Sequence, residues 1–336
     1  MPRRALLALL AALAALTAAG CGATGAPSES RPDQDATLLL DFAPNAVHAG
    51  IYLAQQRGYD DAEGVHLRVQ PPGSSTDGIK ALLGGQADLA IVDIHDLAIA
   101  REKGRDVVGV MAIVQTPLAA LLGQPDVARP RDVEGRRVGV TGLPSDDAVL
   151  RAIVSGDGGD PAKVRRVTIG FTAVQALVTR RVAAATAFWN AEGVALKARR
   201  PGARIFRVDE FGAPAYPELV LATSRESLDT NGPVIRAAIR ALRRGYEATI
   251  DDPESAITAL VDAEPSLQRA LVARELDAVS PSFTAGARRF GELDPARLRA
   301  WAAWEQRFGI VKRRPDVARA FDPAISLTGT SSDPNG

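Results

Sequence analysis

Asp41, Phe42, Asn45 and His48 offer a carboxylate, an aromatic face, an amide and an imidazole within one short stretch. The stretch is Asp41-Phe42-Ala43-Pro44-Asn45-Ala46-Val47-His48, and it follows an apolar run, Leu38-Leu39-Leu40, that reads as a strand. Leu53-Ala54-Gln55-Gln56-Arg57-Gly58 then reads as the end of a short helix. A strand, a Pro turn and a helix start expose backbone N–H groups and polar side chains at a strand's carboxyl end. In an open α/β sheet that is where ligands bind. Tyr52, one turn further on, also fits an amphipathic core position.

Trp189, Asn190 and Glu192 form a second such group, directly after another strand-like run. An indole face stacks on flat rings, and a carboxylate accepts from an amine. A core Trp followed by a solvated helix start fits the same residues. Asp93 and Asp96 flank His95 after Ala90-Ile91-Val92. These are metal-ligand types, but the chain has only 3 His and no accompanying ligand set, so no metal is expected. Pro72-Gly73-Ser74-Ser75-Thr76 and Gly142-Leu143-Pro144-Ser145 precede helices, where an anion can bind or a cap can form. Neither carries the Lys of a phosphate-binding loop. Tyr216, between Pro214 and Pro217, is read as a lid aromatic beside a hinge.

Alternating elements must position these groups. Short apolar runs at 38–42, 67–69, 89–92 and 107–114 predict strands, with helices at 46–56, 76–83 and 94–103 between them. That rhythm argues a largely parallel sheet covered by helices. After 118–122 the chain is expected to cross to a second lobe. There, strands at 137–141, 164–169, 183–189 and 204–208 alternate with helices at 145–155, capped by Ser145, and 173–182. The run 218–223 reads as the returning strand. Beyond 231 the pattern is helical, at 233–251, 253–262, 267–279 and 295–308, with Pro near several starts.

The beginning of the chain reads as an export signal: Arg3 and Arg4, an Ala/Leu run at 5–19, then Ala18-Ala19-Gly20 before Cys21. Cys21, the only cysteine, stands where a lipoprotein signal places it, although Ala18 occupies the usual Leu position. Lipidation of Cys21 and a membrane anchor are expected, with no disulfide. Residues 22–35 and 328–336 are polar and read as a tether and a frayed tail. The 336 residues, 46% hydrophobic, suffice for two lobes with proper cores. Basic and acidic residues balance at 40 each, and no basic stripe with interleaved aromatics supports nucleic-acid binding.

The segments 41–52 and 188–193 resemble the solute-binding proteins that feed ABC importers with thiamine pyrimidine precursors. That superfamily also contains fungal synthases of the pyrimidine and binders of sulfonates, nitrate and riboflavin. The likeness runs over 37–308 and implies a type II periplasmic-binding-protein fold, two α/β lobes joined by two crossing strands. Its division of the chain is a signal at 1–20, a tether at 21–36, lobe one at 37–123, lobe two at 124–217, a return to lobe one at 218–327, and the tail. It implies ligand contacts by Asp41, Phe42, Asn45, His48, Asp93, Trp189, Asn190, Glu192 and Tyr216. Trp189 would stack on an aminopyrimidine and Glu192 would accept from its amine. The implied protein is a monomeric, lipid-anchored, extracytoplasmic binder without cofactor or catalysis, serving an ABC permease and its ATPase. Riboflavin, a sulfonate or nitrate is the alternative solute, though neither segment has an Arg for an anion. A synthase-like enzyme is the alternative class. The family's synthases carry a Cys-rich motif and a cofactor-binding Lys in a cytosolic chain, which a lone Cys21 and an export signal oppose.

Overall fold

The computed structural model describes residues 34–73 and 77–326. The expected signal, Cys21, Ser74-Ser75-Thr76 and the tail at 328–336 lie outside them. Among the described residues, ten strands form two five-stranded sheets. The first holds β1 (Gln34–Leu39), β2 (Val65–Gln70), β3 (Leu89–Asp93), β4 (Val107–Ala112) and β10 (Leu219–Ser224), ordered β2-β1-β3-β10-β4. The second holds β5 (Ala119–Gly123), β6 (Arg137–Val140), β7 (Arg165–Thr168), β8 (Ala184–Phe188) and β9 (Arg204–Arg207), ordered β7-β6-β8-β5-β9.

The two sheets repeat one plan. In the first, β1 pairs in parallel with β2 and β3, and β10 runs antiparallel between β3 and β4. In the second, β6 pairs in parallel with β7 and β8, and β5 runs antiparallel between β8 and β9. Each antiparallel strand has just arrived from the other lobe. The crossings therefore fall at 113–118 and 213–218. This corrects the expected boundary: 119–123 belongs to the second sheet, with Ala119 opposite Phe188. A short apolar run states that it is buried but not in which sheet. Residues 34–36, expected to belong to a tether, lie in β1.

Side chains alternate across the sheets, as strand geometry requires. Leu38 and Ile91 enter one apolar core, while Leu39, Ala90 and Val92 enter the other. The helix Gly232–Asp251 packs its apolar stripe on the helix Ala49–Gln56. The two backbones meet at glycines, since a Cβ on Gly245 would come within 2.1 Å of the Gly50 carbonyl oxygen. Beside them the Tyr246 hydroxyl donates to the Val47 carbonyl at 3.0 Å. The long C-terminal helices thus fix the stretch that follows β1. No helix among the described residues is long and apolar enough to cross a membrane.

Candidate functional site

A cleft lies between the lobes, with about 960 Å³ of empty space, part of it open to solvent. Its walls come from the carboxyl ends of β1, β3, β6 and β8 and from the return crossing. Asp41, Phe42 and Asn45 reach it from β1, and Asp93 and Asp96 from β3 and the helix Ile94–Glu102. Asn190 and Glu192 reach it from the turn after β8.

Behind the first of these groups, the backbone is locked by its own side chains. Asn45 Oδ1 accepts from the Val47 amide at 3.0 Å, and His48 Nδ1 accepts from the Asn45 amide at 3.2 Å. With Nδ1 accepting, the His48 proton is on Nε2, which donates to Asp41 Oδ1 at 2.8 Å. His48 is fully buried and does not line the cleft. It corrects the expected contact: His48 aims Asp41 at the solute space instead of entering that space itself.

Trp189 is a second correction. Its indole N–H donates to the Pro117 carbonyl at 2.9 Å, Arg207 lies 4.2 Å over its ring, and it is absent from the cleft wall. The turn Trp189–Gly193 is π-helical, and this wider winding sends Trp189 into the core while Asn190 and Glu192 face the cleft. The aromatic walls are Phe42, Phe171 and Phe188, with Phe42 and Phe171 meeting across the lobes at 5.3 Å between ring centres.

Tyr216 is the third. It is fully buried, its hydroxyl lies 3.3 Å from His95 Nε2, and it packs against Trp304. It is part of the support beneath the cleft floor, not a lid. That support centres on His95, whose Nδ1 bonds Glu305 and whose Nε2 lies 3.5 Å from Glu218. Burial pulls the imidazole down, but Glu305, Asp93 and Glu218 outweigh it and hold it up to about 10. Burial raises Asp93, Asp96 and Glu192, Asp96 to about 7 with help from the Asp93 charge. Ligand atoms of Asp93, His95 and Glu218 lie within 4.8 Å of one another, with His95 Nδ1 already committed to Glu305.

Two residues carry more of the site than their sequence context suggests. Asp146 follows Ser145, the expected cap of its helix. Ser145 makes no capping bond, whereas Asp146 Oδ2 accepts from the Gly142 and Leu143 amides at 2.6 and 3.0 Å. Those amides were the candidate anion contacts, and a carboxylate of the chain already fills them. Glu218 lies on the return crossing and accepts from the Leu118 and Ala119 amides, at 2.6 and 3.2 Å, on the outgoing one. Phe171 was missed as well, since a lone Phe in a loop after β7 gives no periodic signal.

The family model described as NMT1/THI5 like matches residues 45–256. The chain belongs to the NMT1/THI5-like family. A formylaminopyrimidine-binding protein of Halalkalibacterium halodurans is 32% identical over 241 residues, covering 71% of this chain and 73% of the relative. A 4-amino-5-hydroxymethyl-2-methylpyrimidine phosphate synthase of Legionella pneumophila is 24% identical over 74% of this chain and 79% of its own. Among solved structures, the alkanesulfonate-binding protein SsuA from Xanthomonas axonopodis pv. citri, bound to MOPS, matches with a TM-score of 0.68 at 16% identity. That match covers 87% of this chain and 99% of SsuA, and it establishes the fold of a two-lobed periplasmic binding protein.

Proposed function

We propose that this protein is an extracytoplasmic solute-binding protein that captures an amine-bearing pyrimidine of the thiamine-precursor class and delivers it to an ABC permease with its ATPase. One observation carries the reading: the cleft wall holds six carboxylates and three phenylalanines, and no Lys or Arg. Phenyl faces suit a flat ring, and carboxylates suit an exocyclic amine and a protonated ring nitrogen. A sulfonate or nitrate would meet no Lys or Arg there, and the one imidazolium, His95, is already surrounded by Glu305, Asp93 and Glu218. The relative that binds formylaminopyrimidine supports the same ring class. The synthase relative raises catalysis, but this chain has one cysteine, Cys21, and no Lys in the cleft wall, so that family motif has no counterpart. The solute is held and released unchanged.

Calorimetry and thermal melts test this against hydroxymethyl, aminomethyl and formylaminomethyl forms of the aminopyrimidine, riboflavin, taurine and nitrate. A pyrimidine should bind, appear unaltered on recovery, and stabilise by about 2.7 kcal/mol at 100 times its Kd. Binding of taurine or nitrate alone, or recovery of a new product, overturns the reading. The apolar run before Cys21 supports a lipid anchor. Cys21→Ser should move the protein from the membrane fraction to the soluble one, and an unchanged distribution overturns the anchor.

A further inference from the structure

We infer that the cleft floor formed by Glu218 and Asp93 receives a positively charged arm, so that the preferred solute is a pyrimidine carrying a protonated amine rather than its neutral hydroxymethyl or formylated counterpart. This deepens the proposed function and rests on it.

Glu218 is fully buried, and its two carboxylate oxygens do different work. Oε2 accepts two backbone amides from the outgoing crossing. Oε1 belongs to a residue of the cleft wall and has no hydrogen-bond partner. A buried carboxylate oxygen without a hydrogen bond is unfavourable until a donor arrives. The nearby cationic group is His95, 3.5 Å away, and its other nitrogen already serves Glu305. One imidazolium therefore stands among Glu305, Asp93 and Glu218, with Asp96 adjoining. No Lys or Arg of the cleft wall balances the excess. Asn190, which is 2% exposed, supplies a second unpartnered acceptor, Oδ1, from the other lobe. An ammonium brings three donors and a charge, whereas a hydroxyl brings one donor and none.

The titration behaviour agrees with this geometry. Burial first, then the Asp93 charge, pushes Glu218 up to about 7. The groups around it are Asp93 at the end of β3, His95 and Asp96 on the helix Ile94–Glu102, Tyr216 on its own segment, and Glu305 on the helix Pro295–Arg307. A bound cation favours the ionised carboxylate, so its affinity should rise with pH through this range.

The experiment is calorimetry of the whole mature chain with a matched pair, the aminomethyl and hydroxymethyl forms of one aminopyrimidine, between pH 6 and 8.5. The wild type should bind the aminomethyl form at least about tenfold more tightly, the scale of a charge-assisted hydrogen bond. The preference should grow with pH. Glu218→Gln keeps a carbonyl oxygen for the Leu118 and Ala119 amides and should bring the ratio to near one, with the pH dependence gone. Asp93→Asn, which retains a helix-capping side chain, should reduce the ratio in the same direction and stands in if Glu218→Gln does not fold. A wild type without preference, or a preference untouched in both variants, overturns the assignment and leaves the pyrimidine reading intact. A preference abolished by dialysis against a chelator places a divalent cation at the floor and also overturns it. A wild type that binds neither of these forms overturns this assignment, and one that also fails to bind the formylaminomethyl form overturns the pyrimidine reading as well.

Discussion

Trp189 and Phe171 are both aromatic, yet they do opposite work. Trp189 is 8% exposed, bonded to Pro117 and covered by Arg207, whereas Phe171 is 48% exposed in the cleft wall. Trp189→Ala should therefore destabilise the fold by about 3–5 kcal/mol, as expected for deleting a buried indole. Phe171→Ala should leave the melting temperature nearly unchanged and weaken pyrimidine binding by about 1–3 kcal/mol through lost stacking. Melts and calorimetry on both variants separate the two effects, and the reverse pattern would restore Trp189 as the stacking face. The sequence marked Asp41, Phe42, Asn45, Asp93, Asn190 and Glu192, which line the cleft, because side chains that follow a strand stand at its carboxyl end. It mistook Trp189 because the π-helical turn that rotates the indole inward has no sequence signature. It passed over Glu218 because a carboxylate on a crossing strand shows its role only when the other crossing lies beside it.

At the scale of elements, two features set the limits on change. The helices Ala49–Gln56 and Gly232–Asp251 meet backbone to backbone, and a methyl at Gly245 would strike the Gly50 carbonyl and the Ala54 side chain. Gly245→Ala should destabilise by about 1–3 kcal/mol through overpacking, despite the gain in helix propensity. A chemical denaturation midpoint at or above the wild type would show that the helices can part freely. The second feature is the set of buried acids. Burial raises Glu275 to about 7, and burial with the Asp93 charge raises Asp96 and Glu218 to about 7. For these groups the folded state holds protons more tightly than the unfolded one. Their stability contribution is complete below about pH 4 and is lost as pH rises through about 7. His95, raised to about 10, loses its contribution between about pH 6.5 and 10. Both act in one direction, so the ligand-free protein should resist urea better at pH 5.5 than at pH 8.5. Glu275→Gln should flatten the slope between pH 5.5 and 7. A stability that climbs over that interval contradicts the assigned shifts. Element types and order were legible in the sequence, because strand and helix periodicities differ and Pro marks several helix starts. The sheet membership of β5 was not, because pairing partners are set by tertiary contacts.

For the whole molecule, the question is how two sheets on shared crossings enclose a solute. Glu218 ties the end of the outgoing crossing to the end of the return crossing, so any bending between the lobes is expected before that tie, within 113–117 and 213–217. The helix Arg269–Thr284 packs against both the turn Ala46–His48 of lobe one and the segment 189–199 of lobe two. It is a third connection between the lobes, beside the two crossings. The Phe42–Phe171 contact links the lobes across the cleft, and a solute between the lobes adds contacts that only the closed arrangement offers. A ligand shifts such an equilibrium by its differential affinity for the two arrangements. Spin labels at Asp61→Cys and Arg199→Cys, both exposed and on different lobes, report the separation in a Cys21→Ser background. Without solute, the distance distribution should include a longer component. Saturating pyrimidine should collapse it to the shorter one, and Phe171→Ala should leave part of the longer component even at saturation. A distribution that does not move while calorimetry records binding would mean that the lobes are rigid, and the solute would then have to enter through a cleft already open at its mouth.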